Sequence, residues 1–352
     1  MMEDRKRLVV LAIGFLAVAA AVVWIIIRTN DMNELANPSE EDTLTEELFA
    51  MDTVMDITLY RTAQTDQPLR DIFTEMRDRI YQMERDFSVT DEKSVVSKLN
   101  QASGSEQWTP LSDEEYEMID IAERISLDTD KAFDPTMFPI VKLWGFTTGE
   151  FRIPKEDEIR ETLKKVGIDN IESDVETKKV RLNNGAQVDL GACAKGFLSD
   201  KLRDIMNAHH VNGILSLGGN VQTVGTKPDG TAFVVGISNP SDPNTLYATL
   251  ESRDEAVITS GNYQRYFEQD GKRYHHIFDP KTGAPAESGL SSVTVIGEKG
   301  VYCDALATAF FVMGEEKTKE YLNKNELRYK VILIREDGSS WNSEDLKLTI
   351  KK

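Results

Sequence analysis

The chain has 352 residues, enough for one large domain or two smaller ones. It carries 41 Lys and Arg against 60 Asp and Glu, a net charge of −19. A hydrophobic share of 40% and a charged share of 29% are typical of a globular protein and exclude disorder and collagen. Two Cys exclude a disulfide scaffold, and the acidic excess argues against nucleic acid as a partner, because binding along a phosphate backbone needs a basic face.

The amino terminus has the pattern of a membrane anchor. Residues 8–27 are an uninterrupted apolar run, about the length that a helix needs to cross a bilayer. Arg5, Lys6 and Arg7 precede the run, and positive residues favour the cytoplasmic side, so the rest of the chain is expected outside. A cleaved signal peptide is the alternative, but the run is long and no clear small-x-small cleavage site follows it.

These features divide the chain into four parts. Residues 1–7 are the expected cytoplasmic basic end, and residues 8–27 the transmembrane anchor. Residues 28–47 are acidic, contain Pro38, lack apolar periodicity and are interpreted as a linker. Residues 48–352 form the main domain, so we expect a single-pass cell-membrane protein whose domain is extracytoplasmic. No Cys stands at the end of the apolar run, which excludes a lipid anchor.

Helical patterns come first in the domain, after a predicted strand at 51–60. Ser112 and Glu115 form a capping box that predicts a second helix, a third is expected from Pro154 to Gly167, and a fourth after Gly196. The first helix is predicted by apolar residues at helical spacing, which are Leu69, Ile72, Phe73, Met76, Ile80, Met83 and Phe87.

Strand patterns dominate the second half of the domain. They are predicted at 214–217, 233–237, 246–250, 256–259, 293–296 and 330–335, with one more helix from Asp304 to near Gly314. Helices first and antiparallel strands later predict an α+β fold, one large domain of mixed helices and mainly antiparallel sheet, rather than a doubly wound one.

Asp304 and Thr308 are the sharpest local feature. They are four residues apart, so on a helix their oxygen atoms share one face. A carboxylate beside a hydroxyl suits a hard cation such as Mg²⁺, which keeps open positions for water or phosphate. The alternative is that Asp304 caps the helix and Thr308 bonds back to a carbonyl, and the pair alone favours that alternative.

Two glycine-containing stretches offer backbone groups to a ligand. Residues 188–196 (VDLGACAKG) run from a predicted strand into a helix, where amide groups and Lys195 would attract an anion. The stretch lacks the Walker spacing, and an ordinary strand-to-helix connection is the alternative. Residues 216–220 (SLGGN) allow close approach to the backbone, although paired glycines by themselves usually mark a turn.

A predicted hairpin contains the adjacent residues His275 and His276. The dipeptide Asp-Gly at 270–271 is a strong signal for a two-residue turn, and with that turn Arg265 lies opposite His276. Successive side chains of a strand point to opposite faces, so only one of the two histidines can face a site on that sheet. Arg265 beside His276 suits a phosphate better than a transition metal.

Together these stretches resemble the FAD:protein FMN transferase (ApbE) family, from about residue 51 to the late strands. Because the matches are many and in order, the resemblance is specific, and it implies one ApbE-like domain. The matching stretches are 53–55 (TVM), 88–100, 132–135 (AFDP), 143–146 (LWGF), 189–196 (DLGACAKG), 216–220 (SLGGN), 260–263 (SGNY), 275–280 (HHIFDP) and 304–308 (DALAT).

The resemblance implies a Mg²⁺-dependent phosphotransferase-type enzyme (EC 2.7.1). It would move the FMN moiety of FAD to a Thr or Ser hydroxyl of an acceptor protein, such as a secreted or membrane redox protein in extracellular electron transfer, and release AMP. The carbonyl of Ala192 with Asp304 and Thr308 would hold the metal, while His276, helped by Asp304, would activate the acceptor hydroxyl. The residues implied to line the FAD site are Met55, Thr90, Ala132, Phe133, Asp134, Asp189, Lys195 and Ile277.

The chain departs from the family pattern in places. Asp52 stands where the family usually has Gly, and Ala192 and Cys193 replace a second Gly and an aliphatic residue. Many members are lipoproteins, whereas this chain is expected to have a transmembrane helix. Because Cys193 and Cys303 each adjoin an implied metal ligand, we hypothesise that they could pair in a disulfide; the ordinary alternative is two small buried apolar residues.

Two other functions fit the same residues. An FAD pyrophosphatase giving FMN and AMP would use the same metal and cation, with water replacing the protein hydroxyl. A flavin-binding carrier without chemistry is the other alternative, although a carrier would not require the metal ligands Asp304 and Thr308.

Overall fold

The computed structural model describes residues 42–325 and 328–351. The predicted anchor at residues 8–27 therefore lies outside the described residues. Within the two described ranges, no helix is long and apolar enough to cross a membrane. The first described element is a strand at Thr43–Ala50, so residues 43–47 of the predicted linker lie in a strand.

The described residues form helices and strands in chain order. The helices are α1 (Leu69–Phe87), α2 (Val95–Gln101), α3 (Asp113–Asp128), α4 (Phe138–Leu143), α5 (Glu156–Leu163), α6 (Gly191–Ala208) and α7 (Gly300–Lys324), with a 3₁₀ turn at Ile168–Asn170. The strands are β1 (Thr43–Ala50), β2 (Thr53–Tyr60), β3 (Thr109–Pro110), β4 (Ile171–Asp174), β5 (Lys179–Leu182), β6 (Asn212–Leu217), β7 (Asn220–Val224), β8 (Phe233–Asn239), β9 (Asp242–Ser252), β10 (Ala256–Gly261), β11 (Tyr266–Gln269), β12 (Lys272–His275), β13 (Leu290–Gly297), β14 (Lys330–Arg335), β15 (Ser340–Asn342) and β16 (Thr349–Ile350).

The main sheet is antiparallel. Its eight strands follow the order β1-β2-β6-β7-β10-β13-β14-β15, and every neighbouring pair is antiparallel. Helices dominate the first half of the domain and strands the second. The predicted α+β class with a mainly antiparallel sheet is therefore confirmed.

Both faces of the main sheet are buried. Helices α1, α6 and α7 contribute to the core on one face, and the small sheet β16-β9-β8 contributes to the core on the other. Along β14, Val331 and Leu333 belong to the helix-side core, while Ile332 and Ile334 belong to the opposite one. Successive side chains of a strand point to opposite faces, and both faces are buried here. Residues 331–334 of β14 are therefore all apolar and do not alternate between apolar and polar.

The turn between β1 and β2 explains one departure from the family pattern. Met51 and Asp52 have φ angles of 51° and 59°, so they form the turn, and the predicted strand begins at Thr53. Asp is among the residues that tolerate this left-handed region, which accounts for Asp52 where the family usually has Gly.

Local signals placed two helices correctly. Helix α1 buries the apolar set predicted for it. The capping box at the start of α3 is formed, with Ser112 N–H donating to Glu115 Oε2 (2.7 Å) and Glu115 N–H donating to Ser112 Oγ (3.3 Å). Helix α5 runs from Glu156 to Leu163, so it is shorter at both ends than the predicted helix from Pro154 to Gly167.

Two helix starts were predicted wrongly. Helix α6 begins at Gly191, before the expected Gly196, and α7 begins at Gly300, a full turn before Asp304. The residues before them, Leu190 and Lys299, make no side-chain cap, so no local signal marks either start. The predicted end of α7 is visible as a break, because Gly314 has φ 77° and ψ 176° inside the helix.

Candidate functional site

The segment before α6 is fixed by two earlier parts of the chain. The buried side chain of Asn100 binds the backbone of Val188 in both directions, donating to its carbonyl (2.8 Å) and accepting from its N–H (2.7 Å). Asp189 N–H donates to Pro135 O (2.8 Å), and Asp189 Oδ1 accepts from Gly191 N–H (2.8 Å). The carboxylate of Asp189 therefore sits at the positive amino end of α6.

Asp304 lies in the second turn of α7 and bonds to α6. Its Oδ2 accepts the N–H of Gly196 at 2.9 Å, and the residue is only 5% exposed. A β-carbon on Gly196 would overlap the carbonyl of Gly300, so glycine allows the two helices to touch here. The alternative interpretation of Asp304 as a helix cap is therefore wrong.

Helix geometry relates the carbonyl of Ala192 to the same amide that Asp304 binds. In a helix the N–H of residue 196 points to the carbonyl of residue 192, so both oxygen atoms lie near one amide. Burial raises the pKa of Asp304, while the charge of Lys195 and the Gly196 N–H oppose this rise. The side chain of Asn220 also lowers this pKa, although its Nδ2 makes no hydrogen bond of good geometry.

Thr308 follows Asp304 by one helical turn. Its Oγ1 lies 3.2 Å from Oγ of Ser260, at the end of β10. The hydroxyl thus has a side-chain partner, whereas the expected alternative was a bond back to a helix carbonyl. Ser260 belongs to the SGNY stretch noted in the sequence, but no sequence signal pairs it with Thr308.

The donor set fits a hard cation. One carboxylate, one hydroxyl and one backbone carbonyl supply oxygen only, which is the ligand type that Mg²⁺ prefers. Among the described residues, no group of three or more His, Cys, Asp or Glu side chains could hold a metal ion, so a transition-metal site is not indicated there. On the adjoining stretch, Ser216 Oγ is buried without a hydrogen-bond partner, and the side chain of Asn220 acts on the carboxylate of Asp304.

The hairpin β11–β12 places His276 as predicted. Both the backbone N–H and Nδ1 of His276 lie 3.1 Å from the carbonyl oxygen of Arg265. Because a carbonyl only accepts, Nδ1 carries the proton and Nε2 keeps its lone pair. The His276 residue is half-buried, and protein atoms surround its ring densely. The resulting desolvation is the main cause that lowers the pKa of His276 to about 3, and the positive charge of Arg265 is the second cause. The imidazole is therefore uncharged at neutral pH, with the lone pair of Nε2 unprotonated.

His275 has a structural role on the opposite face. Its Nε2 lies 3.2 Å from Ala286 O, its Nδ1 accepts the N–H of Ile277 (3.3 Å), and its ring meets the edge of Phe311 at 5.4 Å. Burial lowers the pKa of His275 to about 4. The expectation that only one of the two histidines faces the site side of the hairpin is consistent with these contacts.

An aromatic cluster supports the site face of the hairpin. Trp144 packs against Phe278 (5.6 Å), and Phe146 packs against Phe278 (5.7 Å) and the ring of His276 (6.4 Å). Trp144 Nε1 donates to Gly283 O at 2.9 Å, which ties the cluster to the chain beyond the hairpin. The ring of His276 therefore packs against this cluster through Phe146.

Two cations lie next to Asp189 and His276. Desolvation raises the pKa of Asp189, while the charges of Arg265 and Lys195 oppose that rise. The same two cations help to lower the pKa of His276, and Lys195 also acts on Asp304. Two cationic side chains therefore lie among the site residues of a chain whose net charge is −19.

The other predicted FAD-site residues occupy different settings. Met55 is buried in β2 opposite Leu217, beside the SLGGN turn, and Phe133 and Ile277 are likewise buried. Ala132 is half-buried, and the Asp134 carboxylate accepts from the N–H (2.8 Å) and hydroxyl (2.6 Å) of Thr136. Asp134 adjoins Pro135, whose carbonyl accepts the N–H of Asp189.

Thr90 lines a cavity whose wall does not include Asp304. It is exposed and lines a cavity of about 340 Å³, whose wall also includes Asn100, Lys142 and Gln187. Gln187 lies just before Asp189, so the cavity adjoins the cluster without containing it.

The cysteines are not paired. Both are free and fully buried, and the Cys193 thiol donates to Leu190 O at 3.3 Å. Burial raises the pKa of each thiol well above its usual value, with Asp304 adding to both shifts. They lie near the proposed metal ligand, as expected, but as small apolar residues.

The fold is an α+β domain, and its candidate site combines oxygen atoms of the kind that a hard cation prefers with the cationic side chain of Lys195. The ApbE family pattern matches residues 51–333, so the chain belongs to the ApbE family. A FAD:protein FMN transferase of Klebsiella pneumoniae is 36% identical over 66% of this chain and 73% of its own length. One of Treponema pallidum is 34% identical over 73% of this chain and 74% of its own length.

Solved structures show the same fold. The ApbE protein of Thermotoga maritima matches with a TM-score of 0.80 and 35% identity, over 86% of this chain and 97% of that one. The flavin transferase ApbE of Vibrio cholerae matches with a TM-score of 0.77 and 27% identity, over 86% of this chain and 97% of that one.

Proposed function

We propose that this chain is a Mg²⁺-dependent FAD:protein FMN transferase that attaches FMN to a Thr or Ser hydroxyl of an acceptor protein and releases AMP. The observation that carries the proposal is the bond that joins Asp304 to α6 at Gly196, beside Lys195. The charge of Lys195 also acts on His276, which supports a role for all three residues at one site. The names of the similar proteins support the same reaction.

The residues divide the reaction between them. Ala192 O, Asp304 and Thr308 would hold Mg²⁺, which when bound neutralises charge on the phosphate oxygens. His276 Nε2 accepts the proton of the acceptor hydroxyl as its oxygen bonds to the phosphorus of the FMN half. The bond from that phosphorus to the bridging oxygen breaks, and AMP leaves with the electron pair. Lys195 and Arg265 stabilise the departing anion.

We further propose that residues 8–27 anchor the protein in the cell membrane and that the domain works outside the cytoplasm. The apolar run and the preceding Arg5, Lys6 and Arg7 support this topology. Protease added to intact cells should digest the domain and leave a cytoplasmic control protein intact. Protection of the domain would reject the topology without touching the proposed reaction.

One assay distinguishes the transferase from its rivals. The full chain, purified in detergent, is incubated with FAD, Mg²⁺ and a candidate acceptor, and AMP release and acceptor mass are followed. We expect AMP together with an acceptor heavier by one FMN moiety. AMP with unmodified acceptors would indicate a pyrophosphatase, and no AMP would indicate a carrier.

The metal assignment has its own variant. Asp304→Ala removes the only carboxylate of the proposed pocket, so AMP release should be abolished in Mg²⁺. Lys201→Gln, at a half-buried position of α6 where Lys201 pairs with Glu117 (2.8 Å), is the matched control. Full activity of Asp304→Ala would reject the cation site.

A further inference from the structure

The start of α7 is capped by another helix. The preceding residue, Lys299, makes no side-chain cap, although the first amides of a helix have no partner inside it. The carboxylate of Asp200 in α6 accepts hydrogen bonds from two of these amides. Its Oδ1 lies 2.9 Å from Gly300 N, and its Oδ2 lies 3.0 Å from Val301 N. One carboxylate therefore binds the first turn of α7 to α6.

Asp200 is itself held in place. Arg203 Nη2 lies 3.2 Å from Asp200 Oδ1, and Arg203 Nη1 donates to the carbonyl of Glu298, just before α7. Asp200 and Arg203 are 6% and 7% exposed. A buried charge pair is retained at a desolvation cost, and here each member also bonds to the backbone that leads into α7.

The contact lies one turn from the candidate cation pocket. On α6, Asp200 follows Gly196 by a turn, and on α7, Gly300 precedes Asp304 by a turn. A β-carbon on Gly300 would overlap Ser199 Oγ, so the backbones meet closely at this point. Any sliding of α7 along α6 would therefore move Asp304 relative to the Gly196 amide.

We propose that Asp200 is a positioning residue for the cation pocket. It fixes the axial position of α7 on α6, and with it the distance from Asp304 and Thr308 on α7 to the Ala192 carbonyl on α6. The inference rests on the proposed metal site, but it concerns a residue that would touch neither metal nor FAD.

The test measures binding of Mg²⁺ alone to the full chain by isothermal titration calorimetry. Asp200→Asn keeps the size of the side chain but replaces one acceptor oxygen by an NH₂ group, which cannot accept the helix N–H that it faces. The variant also removes the negative charge that pairs with Arg203. Loss of a group bonded directly to a metal ligand costs about 10–100-fold in metal affinity. Asp200 acts one helical turn away from the ligands, so we expect a decrease of at most about tenfold, the low end of that range. Excess Mg²⁺ should restore AMP release.

Controls separate positioning from a general loss of stability. Ser112→Ala removes a helix cap whose bonds lie within α3, and it should leave Mg²⁺ affinity unchanged while lowering the melting temperature. Arg203→Lys keeps the positive charge beside Asp200, but a lysine lacks the second nitrogen with which the guanidinium group donates to the carbonyl of Glu298. It should weaken Mg²⁺ binding in the same direction by a smaller factor, and it replaces Asp200→Asn if that variant does not fold.

The possible outcomes are distinguishable. Wild-type Mg²⁺ affinity in the folded Asp200→Asn and Arg203→Lys variants would overturn the positioning role, as would an equal loss of affinity in Ser112→Ala. Normal Mg²⁺ binding by Asp304→Ala would overturn the cation site and the inference with it. If Asp304→Ala loses Mg²⁺ binding while Asp200→Asn and Arg203→Lys keep it, the proposed function is supported and only the role of Asp200 is rejected.

Discussion

The amide nitrogen of Gly196 lies 2.9 Å from Oδ2 of Asp304, although 108 positions separate the two residues in the chain. This hydrogen bond joins the two stretches that the sequence suggested separately, one as an anion-binding helix start and one as a cation-binding pair. It is possible because residue 196 has no side chain where α6 meets α7.

Gly196→Ala should damage both stability and metal binding. The added methyl group overlaps the Gly300 carbonyl, so the helices must separate, and overpacking of this kind costs about 1–3 kcal/mol. Urea unfolding and Mg²⁺ titration measure the two effects. Gly230→Ala is the control: its φ of 79° strains an alanine, but nothing lies within 4 Å of the new β-carbon, so Mg²⁺ affinity should not change. Equal Mg²⁺ affinities of both variants would contradict the prediction.

Lys195→Gln should slow FMN transfer while the fold is kept. The lysine charge acts on Asp189, His276 and Asp304, and loss of one group that stabilises developing charge costs about a hundredfold in rate or more. Initial rates of AMP release at saturating FAD and Mg²⁺ provide the measurement. Lys201→Gln, on the same helix, should have the rate of the wild type, and a similar rate in both variants would remove Lys195 from the mechanism.

His276 should make the protein less stable in mild acid. Its pKa is lowered from 6.5 to about 3 in the folded state, so below about pH 6.5 the unfolded chain binds the proton more readily. The contribution to the free energy of unfolding is therefore flat above pH 6.5 and becomes increasingly unfavourable as the pH falls towards 3. His275 acts with the same sign, whereas the pKa of His209 is raised, so it acts with the opposite sign.

The measurement for His276 is the difference between the wild type and His276→Gln. The free energy of unfolding is measured with urea at pH 7.5 and at pH 5. Its decrease between the two pH values should be smaller for His276→Gln than for the wild type. Imidazole nitrogen NMR at pH 7 should show a proton on Nδ1 of His276 and on Nε2 of His275. The same pH slope for both proteins, or a charged His276 ring at pH 6, would refute the assignment.

The two thiols should be free but unreactive in the folded protein. Cys193 and Cys303 are buried, and burial raises the pKa of each, so little thiolate is present at neutral pH. Thiol titration without reductant should detect almost none in the native chain and both after unfolding in urea. Fewer than two thiols in the unfolded chain would revive the disulfide hypothesis.

Features with a local cause were predictable from the sequence. The apolar spacing of α1, the capping box of Ser112 and Glu115, and the turn that sets Arg265 opposite His276 each depend on residues close together in the chain. The ordered motifs likewise identified the ApbE family. The starts of α6 and α7 were predicted too late, since no side chain next to either start caps it.

The sequence by itself determined the family, the fold class and the residue types of the candidate site, because periodicity, turn chemistry and motif order can be read along the chain. Only the tertiary structure decided which of those residues meet. The bonds from Gly196 to Asp304, from Asp200 to Gly300 and from Ser260 to Thr308 join distant positions. They depend on how α6, α7 and β10 pack, and packing is set by the whole core and by no local pattern.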